Sequence, residues 1–523
     1  MKRRSPLFWI LLVAFAAGSL WWTVQVPYEP GRMYRALPAG VTVLSGHHNL
    51  AGRWEQVVAN PLLLSVATAL GADPLDWEEW KNDETVQSLL DILATHELLL
   101  GYAPELHGSG EPGWVFSAWL GGDSQRMRWL LKSLKIPELR RAASRNGWPV
   151  WVWTPRGLKS DQRITISVIE GMVVGCIASG TLGIDHVLAC ADGNAASLEA
   201  RPSLWLPEPT EYADRGWVRL QQLGRREPDP LHYALRLLPG GGVEGALRLP
   251  FAPAVTGSVS SAQATEDMAG LVGDLPIACA VLDRSLGRVW LDQVFTNALA
   301  REVRGLLGGE SPGTVTLGVL GGGYSGRFMA VRLPTVLGGV TVADPARAVA
   351  DMGGVLDRLN AVTRWGLVPQ LTLVGTQRVY AVEGTGRTVY AKLETKERLA
   401  YTALGGSLVV GSNLETLSKL LAEQQAQGTR AGGRLGDGVR HMRERQALAY
   451  VWFDLLEGGK VARLAITAWS LKLLVEDAAK SQPMRERLNV AKAWLDALAP
   501  FGQLHVWARP TADATEIEFK VGE

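Results

Sequence analysis

The body of this chain repeats itself, and that constrains its fold more than any other feature. Residues 37–64 read LPAGVTVLSGHHNLAGRWEQVVANPLLL and residues 275–302 read LPIACAVLDRSLGRVWLDQVFTNALARE. Both open on Leu-Pro, run through a strand-like stretch ending in Val-Leu, and pass a turn to reach a Trp and an Asn. The matches are Leu37 with Leu275, Pro38 with Pro276, Val43 with Val281, Leu44 with Leu282, Trp54 with Trp290 and Asn60 with Asn297. The last two pairs need one or two residues of slippage.

The elements that follow agree in order. ELLLGYAPELHGSGEPGWVFSAWL pairs with TVTLGVLGGGYSGRFMAVRL, a helical stretch from Asp123 to Ala143 with one from Asp344 to Leu359, and VWVW at 150–153 with VYAV or VYAK near 379–392. ITISVIEGMVVGCIAS pairs with LAYTALGGSLVVGSN, and each half closes on a hairpin-like run. The repeat is far longer than a solenoid period, so it reads as a duplicated domain.

Gly clusters separate short apolar strands, and the hairpin links favour antiparallel pairing. The expected fold class is therefore α+β: an N-terminal transmembrane helix followed by two duplicated domains of antiparallel sheet with helices packed on one face. The boundaries predicted are 37–265 for the first copy, 266–274 for a linker in a Ser-, Thr- and Ala-rich stretch, and 275–523 for the second copy.

Ahead of the repeat, Lys2, Arg3 and Arg4 precede an apolar run from Leu7 to Val26, broken only by Ser19, Thr23 and Gln25. A run of this length spans a hydrocarbon core of roughly 30 Å. The basic tail, residues 1–6, is expected on the cytoplasmic side and the bulk of the chain outside it. Trp21 and Trp22 suit an interfacial belt. The competing reading is a cleaved signal peptide, but its small-x-small site, Ala14-Phe15-Ala16, lies inside the apolar run. Residues 27–36, with Pro27 and Pro30, read as a tether.

Lys+Arg number 53 and Asp+Glu 52. A balanced charge argues against a nucleic-acid partner, which needs excess positive charge to meet phosphates. The membrane, through residues 7–26, and a protein partner in the envelope are the partners this organisation implies. Three cysteines, Cys176, Cys190 and Cys279, exclude a disulfide framework and a four-cysteine zinc site, and read as buried free thiols.

The search for chemistry is mostly negative. His47 and His48 are adjacent on a predicted strand and so point to opposite faces, which disfavours a shared metal. Neither ring is expected within reach of a Ser or Cys nucleophile, and the counterpart in the second half is Arg284-Ser285. Gly108-x-Gly110-x-x-Gly113 sits between strand-like segments and lacks the strand–loop–helix setting of a dinucleotide site. No Gly-x-Ser-x-Gly elbow and no Walker lysine occur. No catalytic residue, cofactor or metal site is therefore expected.

Two surface patterns remain. An acidic stretch runs from Asp73 to Glu84, and a basic one includes Arg128, Lys132 and Lys135. Trp148, Trp151 and Trp153 form an aromatic cluster, with Trp151 and Trp153 on one strand face. Such a stripe belongs to a core or stacks a ligand. The candidate binding surface is Trp148, Trp151, Trp153, Arg128, Lys132 and Lys135.

The segment Gly405-Gly406-Ser407-Leu408-Val409-Val410-Gly411-Ser412 and the opening Leu37-Pro38-Ala39-Gly40 carry a resemblance. The chain resembles uncharacterised bacterial single-span, membrane-anchored extracytoplasmic families. In these the body opens on a Leu-Pro-Ala strand, more often with Asp and Thr after the Ala. The resemblance implies a location at the inner membrane with the bulk outside the cytoplasm, and it brings no functional residue. The function expected is a periplasmic binding or scaffold protein of the envelope, without catalytic activity. The alternatives are a carrier or sensor of an apolar, lipid-like ligand and an extracytoplasmic hydrolase.

Overall fold

The computed structural model describes residues 28–69, 78, 81–82, 84–106, 111–133, 139–154, 162–207, 212–219, 230–250, 263–284, 313–321, 326–328, 331–385, 393–428, 433–476, 482–511 and 514–522. Residues 1–27, including the predicted tail and anchor, lie outside them, as do most of the acidic stretch and the loop with Gly108 and Gly110. The chain divides into two compact units, one of residues 1–64 and 71–237, the other of 65–70 and 238–523.

The N-terminal unit contains β1 (Val43–His48), β2 (Glu97–Ala103), β3 (Gly113–Trp119), β4 (Leu139–Arg141), β5 (Val150–Trp153), β6 (Gln162–Ile169), β7 (Met172–Ser179), β8 (Asp214–Val218) and β9 (Leu231–Leu237). Their spatial order is β4-β5-β6-β7-β3-β2-β1-β8-β9, antiparallel throughout.

The C-terminal unit contains β10 (Val243–Leu249), β11 (Pro276–Asp283), β12 (Thr314–Leu320), β13 (Gly326–Phe328), β14 (Val331–Leu333), β15 (Thr335–Thr341), β16 (Leu367–Val374), β17 (Gln377–Gly384), β18 (Ala400–Leu404), β19 (Ser407–Gly411), β20 (Ala449–Asp454), β21 (Gln503–Pro510) and β22 (Thr515–Val521). Its order is β16-β17-β18-β19-β15-β12-β11-β20-β21-β22-β10. β13 and β14 form a separate ribbon. The strand order of the first unit thus recurs in the second, β4 with β16 through β9 with β21.

The expected fold class is corrected on three points. First, the two sheets are unequal: among the described residues nine strands pair antiparallel in the N-terminal unit and eleven in the C-terminal unit. A strand edge left open must find a partner. β10, read as the end of the first copy, finds one in β22, from Val243 opposite Val521 to Leu249 opposite Thr515.

Second, helices cover both faces of the strands. In the N-terminal unit, helices Pro30–Arg35 and Gly183–Ala191 bury Met33, Tyr34, Ile184 and Val187 against Leu44, Leu99, Val115 and Trp217. Helix Asp123–Ser133 buries Met127 and Leu131 against Trp151, Ile166, Val168 and Val173 of the other face. The C-terminal unit does the same. Met268, Leu417, Leu420 and Leu435 cover one face and Met352 and Leu356 the other. The cause is visible in β6 and β7, whose apolar runs carry buried side chains on both sides of the pleat and need cover on both.

Third, among the described residues no helix is long and apolar enough to cross a membrane. The segment 7–26 is outside that statement.

Smaller differences follow from local chemistry. Of the helix read from Asp123 to Ala143, Asp123–Ser133 is described, and Leu139–Arg141 is strand β4. The stretch read as a linker holds helix Gln263–Val272, with Met268, Leu271 and Val272 buried. Leu44 and Val281 are the fully buried residues of their strands, while Leu282 is half-buried. The sequence match of Leu44 with Leu282 is therefore one residue out of step, which on a strand means the opposite face.

Candidate functional site

The six residues of the predicted surface do not converge. Trp151 is core, 1% exposed. Trp148 packs against a different core cluster and donates its Nε1–H to Asp192 Oδ1 at 3.0 Å. Trp153 is half-buried at the end of β5. Arg128 Nη2 donates to the Val168 carbonyl at 3.2 Å, and Lys132 is exposed. Lys135 lies outside the described residues.

The structure gathers chemistry instead on β1, β2 and β8 of the N-terminal unit, and it does so separately on the two sides of the sheet. Alternation along β2 turns Glu97 and Leu99 inward, and along β8 it turns Arg215 and Trp217 inward. Arg215 Nη2 donates to Glu97 Oε1 at 2.7 Å, with the two side chains 6% and 8% exposed. Tyr28 donates its hydroxyl to Glu97 Oε2.

The Arg215–Glu97 pair lines a cavity of about 640 Å³, shared with Tyr28, Tyr34, Trp119 and Trp205 and with His48 and His96 at its margin. The aromatic walls hold one another. Tyr34 stacks on Trp205 at 4.9 Å and 3°, and Tyr28 meets Trp119 edge-on at 5.4 Å. Tyr34 Oη accepts from the Leu206 N–H at 2.8 Å. Burial pushes the Tyr34 hydroxyl up to about 12. Burial, then the neighbouring Glu97, pushes Tyr28 higher still. Both phenols are therefore neutral. Among the described residues, Arg215 Nε and Nη1 are buried with no hydrogen-bond partner.

On the other side of the same strands stand Ser45, His47 and Asp214. His47 lies opposite Asp214 in the β1–β8 ladder, and its Nδ1 is 2.8 Å from Asp214 Oδ1. Its Nε2 is 2.9 Å from Ser45 Oγ. Arg53 donates through Nη1 and Nη2 to both Asp214 oxygens, each at 2.9 Å. Burial alone would raise the Asp214 carboxyl, but the bonds from His47 and Arg53 outweigh it and hold the group down at about 2. The expectation that neither imidazole reaches a serine is thus overturned. Residues i and i+2 share a strand face, so the relevant neighbour of His47 is Ser45 and not His48. Asp214 comes from a strand far along the chain, and only the sheet register brings it in.

The three cysteines are free and buried. Burial raises Cys176 to about 11, and Cys190 and Cys279 to about 12, so they stay protonated thiols. Among the described residues no group of three His, Cys, Asp or Glu is placed to hold a metal. Comparison with protein-family models, with curated proteins and with solved structures gives no match.

Proposed function

We propose that this is a ligand-binding protein of the cell envelope, tethered through residues 7–26, whose N-terminal unit holds one lipid-like molecule in the aromatic cavity. The observation that carries the reading is Arg215. A buried donor without a partner costs about 1–3 kcal/mol, and an acceptor brought by a ligand recovers that. Arg215, which carries two such donors, lines a cavity with four aromatic rings in its wall. Pockets of this kind, apolar with a few fixed polar groups, are the usual form of small-molecule sites. Arg215 and Glu97 neutralise each other, so the favoured ligand head is an uncharged oxygen acceptor and not a full anion. The tether rests on the sequence alone, on Lys2, Arg3 and Arg4 ahead of the apolar run.

The test is calorimetric titration of the full chain with a monoacylglycerol and with the fatty acid of equal chain length. Saturable binding of the neutral lipid, weakened at least tenfold by Trp205→Ala, supports the reading. Absence of saturable binding by both lipids, or affinity unchanged in Trp205→Ala, overturns it. A periplasm-active reporter fused after Glu523 checks the location separately.

A further inference from the structure

We infer that Ser45 is an activated nucleophile and that the Ser45 side of the N-terminal sheet hydrolyses short apolar acyl esters. The inference is independent of the cavity, which lies on the opposite side of the same strands. Its basis is the direction of each hydrogen bond. Arg53 gives two bonds to Asp214, which therefore stands as a carboxylate and can only accept. The contact at 2.8 Å is then His47 Nδ1–H donating to Asp214. This fixes the tautomer and leaves the Nε2 lone pair facing Ser45 Oγ at 2.9 Å, the arrangement of a base set on a hydroxyl.

The single Ser45 proton is committed to His47. The Tyr233 hydroxyl lies beside Ser45. Gly216, opposite Ser45 in the ladder, makes room for this, since a Cβ there would lie 2.4 Å from Tyr233 Oη. His47 and Asp214 keep 23% and 16% of their side-chain surface, so the group is reachable. Leu98 and Leu100 lie opposite His47 and Ser45 on β2 and share their face, which gives an apolar acyl group a place to rest.

The step balances with water as the only co-reactant. Ser45 Oγ bonds to the acyl carbon as its proton passes to His47 Nε2, and the carbonyl electron pair moves onto the carbonyl oxygen. Collapse expels the alkoxide, which takes the proton from His47. Water, deprotonated by His47 in turn, attacks the acyl-serine and releases the acid and Ser45–OH.

Corresponding strand positions of the C-terminal unit carry Leu282 for Ser45, Arg284 for His47 and Ala447 for Asp214. The group is therefore not something this strand order requires.

The test uses the full chain purified in detergent, p-nitrophenyl butyrate as substrate and a fluorophosphonate probe with peptide mapping. Turnover should fall about a thousandfold in Ser45→Ala. Covalent label should sit on Ser45 and vanish in Ser45→Ala. Asp214→Asn should cut kcat while leaving KM near its starting value, and its circular dichroism reports folding. Label on another residue, no label, or hydrolysis unchanged in Ser45→Ala would overturn the inference.

Discussion

The two units share a strand order and differ in what they place inside it. At the β8 position of Arg215 the C-terminal unit has Leu448, preceding β20, and at Gly216 it has Ala449. The buried polar groups of the C-terminal unit are mainly neutral hydroxyls: Thr265 Oγ1 lies 2.9 Å from Thr316 Oγ1 and 3.3 Å from Thr314 Oγ1. The N-terminal unit buries an ion pair instead and carries a half-buried, Asp-bound imidazole. The C-terminal unit buries Asp283 and Arg284 at the end of β11, but it has neither that ion pair nor that imidazole at the matching positions. Those groups in the first unit are additions to the scaffold and not conditions of it, which is why they are the groups to suspect of function.

The largest effect should come from breaking the buried pair. Arg215→Met strands Glu97 as an unpaired buried carboxylate, and urea unfolding should show a loss of about 3–5 kcal/mol. Leu448→Met at the matching position should cost under roughly 1.5 kcal/mol, because shape and polarity are kept. Equal losses would remove the distinction between the units.

A smaller effect separates them by acid. His505 accepts from the Tyr450 hydroxyl at Nδ1, 3.1 Å away, and is held near 4 by burial, then by Lys520 and His441. Its folded value lies below the unfolded 6.5, so its contribution is complete above that pH and is lost as the pH falls towards 4. At pH 5.5 the C-terminal unit should be weaker by about 1 kcal/mol than at pH 7.5. Asp214, with a folded value of about 2 against 3.8 unfolded, begins to lose its contribution only below about 4. Thermal melts across this range, with His505→Phe removing the earlier transition, check the order. The smallest effect should be at exposed pairs. Arg145→Ala, which loses Asp185 in the first unit, and Arg509→Ala, which loses Glu516 in the second, should each change stability by less than about 1 kcal/mol.

What the sequence made legible was local. ITISVIEGMVVGCIAS reads as a hairpin because a Glu-Gly turn separates two apolar runs, and β6 and β7 pair across Glu170 and Gly171, both at positive φ. Asp344 ahead of Pro345 reads as a helix start, and its side chain accepts from the Arg347 N–H at 3.0 Å. The rest depends on register between distant strands. Nothing near Ser45 and His47 announces Asp214, and nothing near Glu97 announces Arg215. The pairing of the two histidines drew attention to the wrong neighbour, since the pleat separates adjacent residues. The tryptophans drew it to β5, where Trp151 is core. The aromatic residues that line the cavity, Tyr28, Tyr34, Trp119 and Trp205, come from separate stretches with no shared spacing.

The pairing of β10 with β22 has a consequence in time. Val243–Leu249 leaves the ribosome long before Thr515–Val521, and synthesis at ~5–20 residues per second puts the delay on the order of tens of seconds. Throughout it one edge of β10 has its N–H and C=O groups open to any other chain. Thr515–Val521 is thus the latch that ends a vulnerable interval. A chain that loses those residues would carry a permanently adhesive edge, and its first symptom would be aggregation during synthesis.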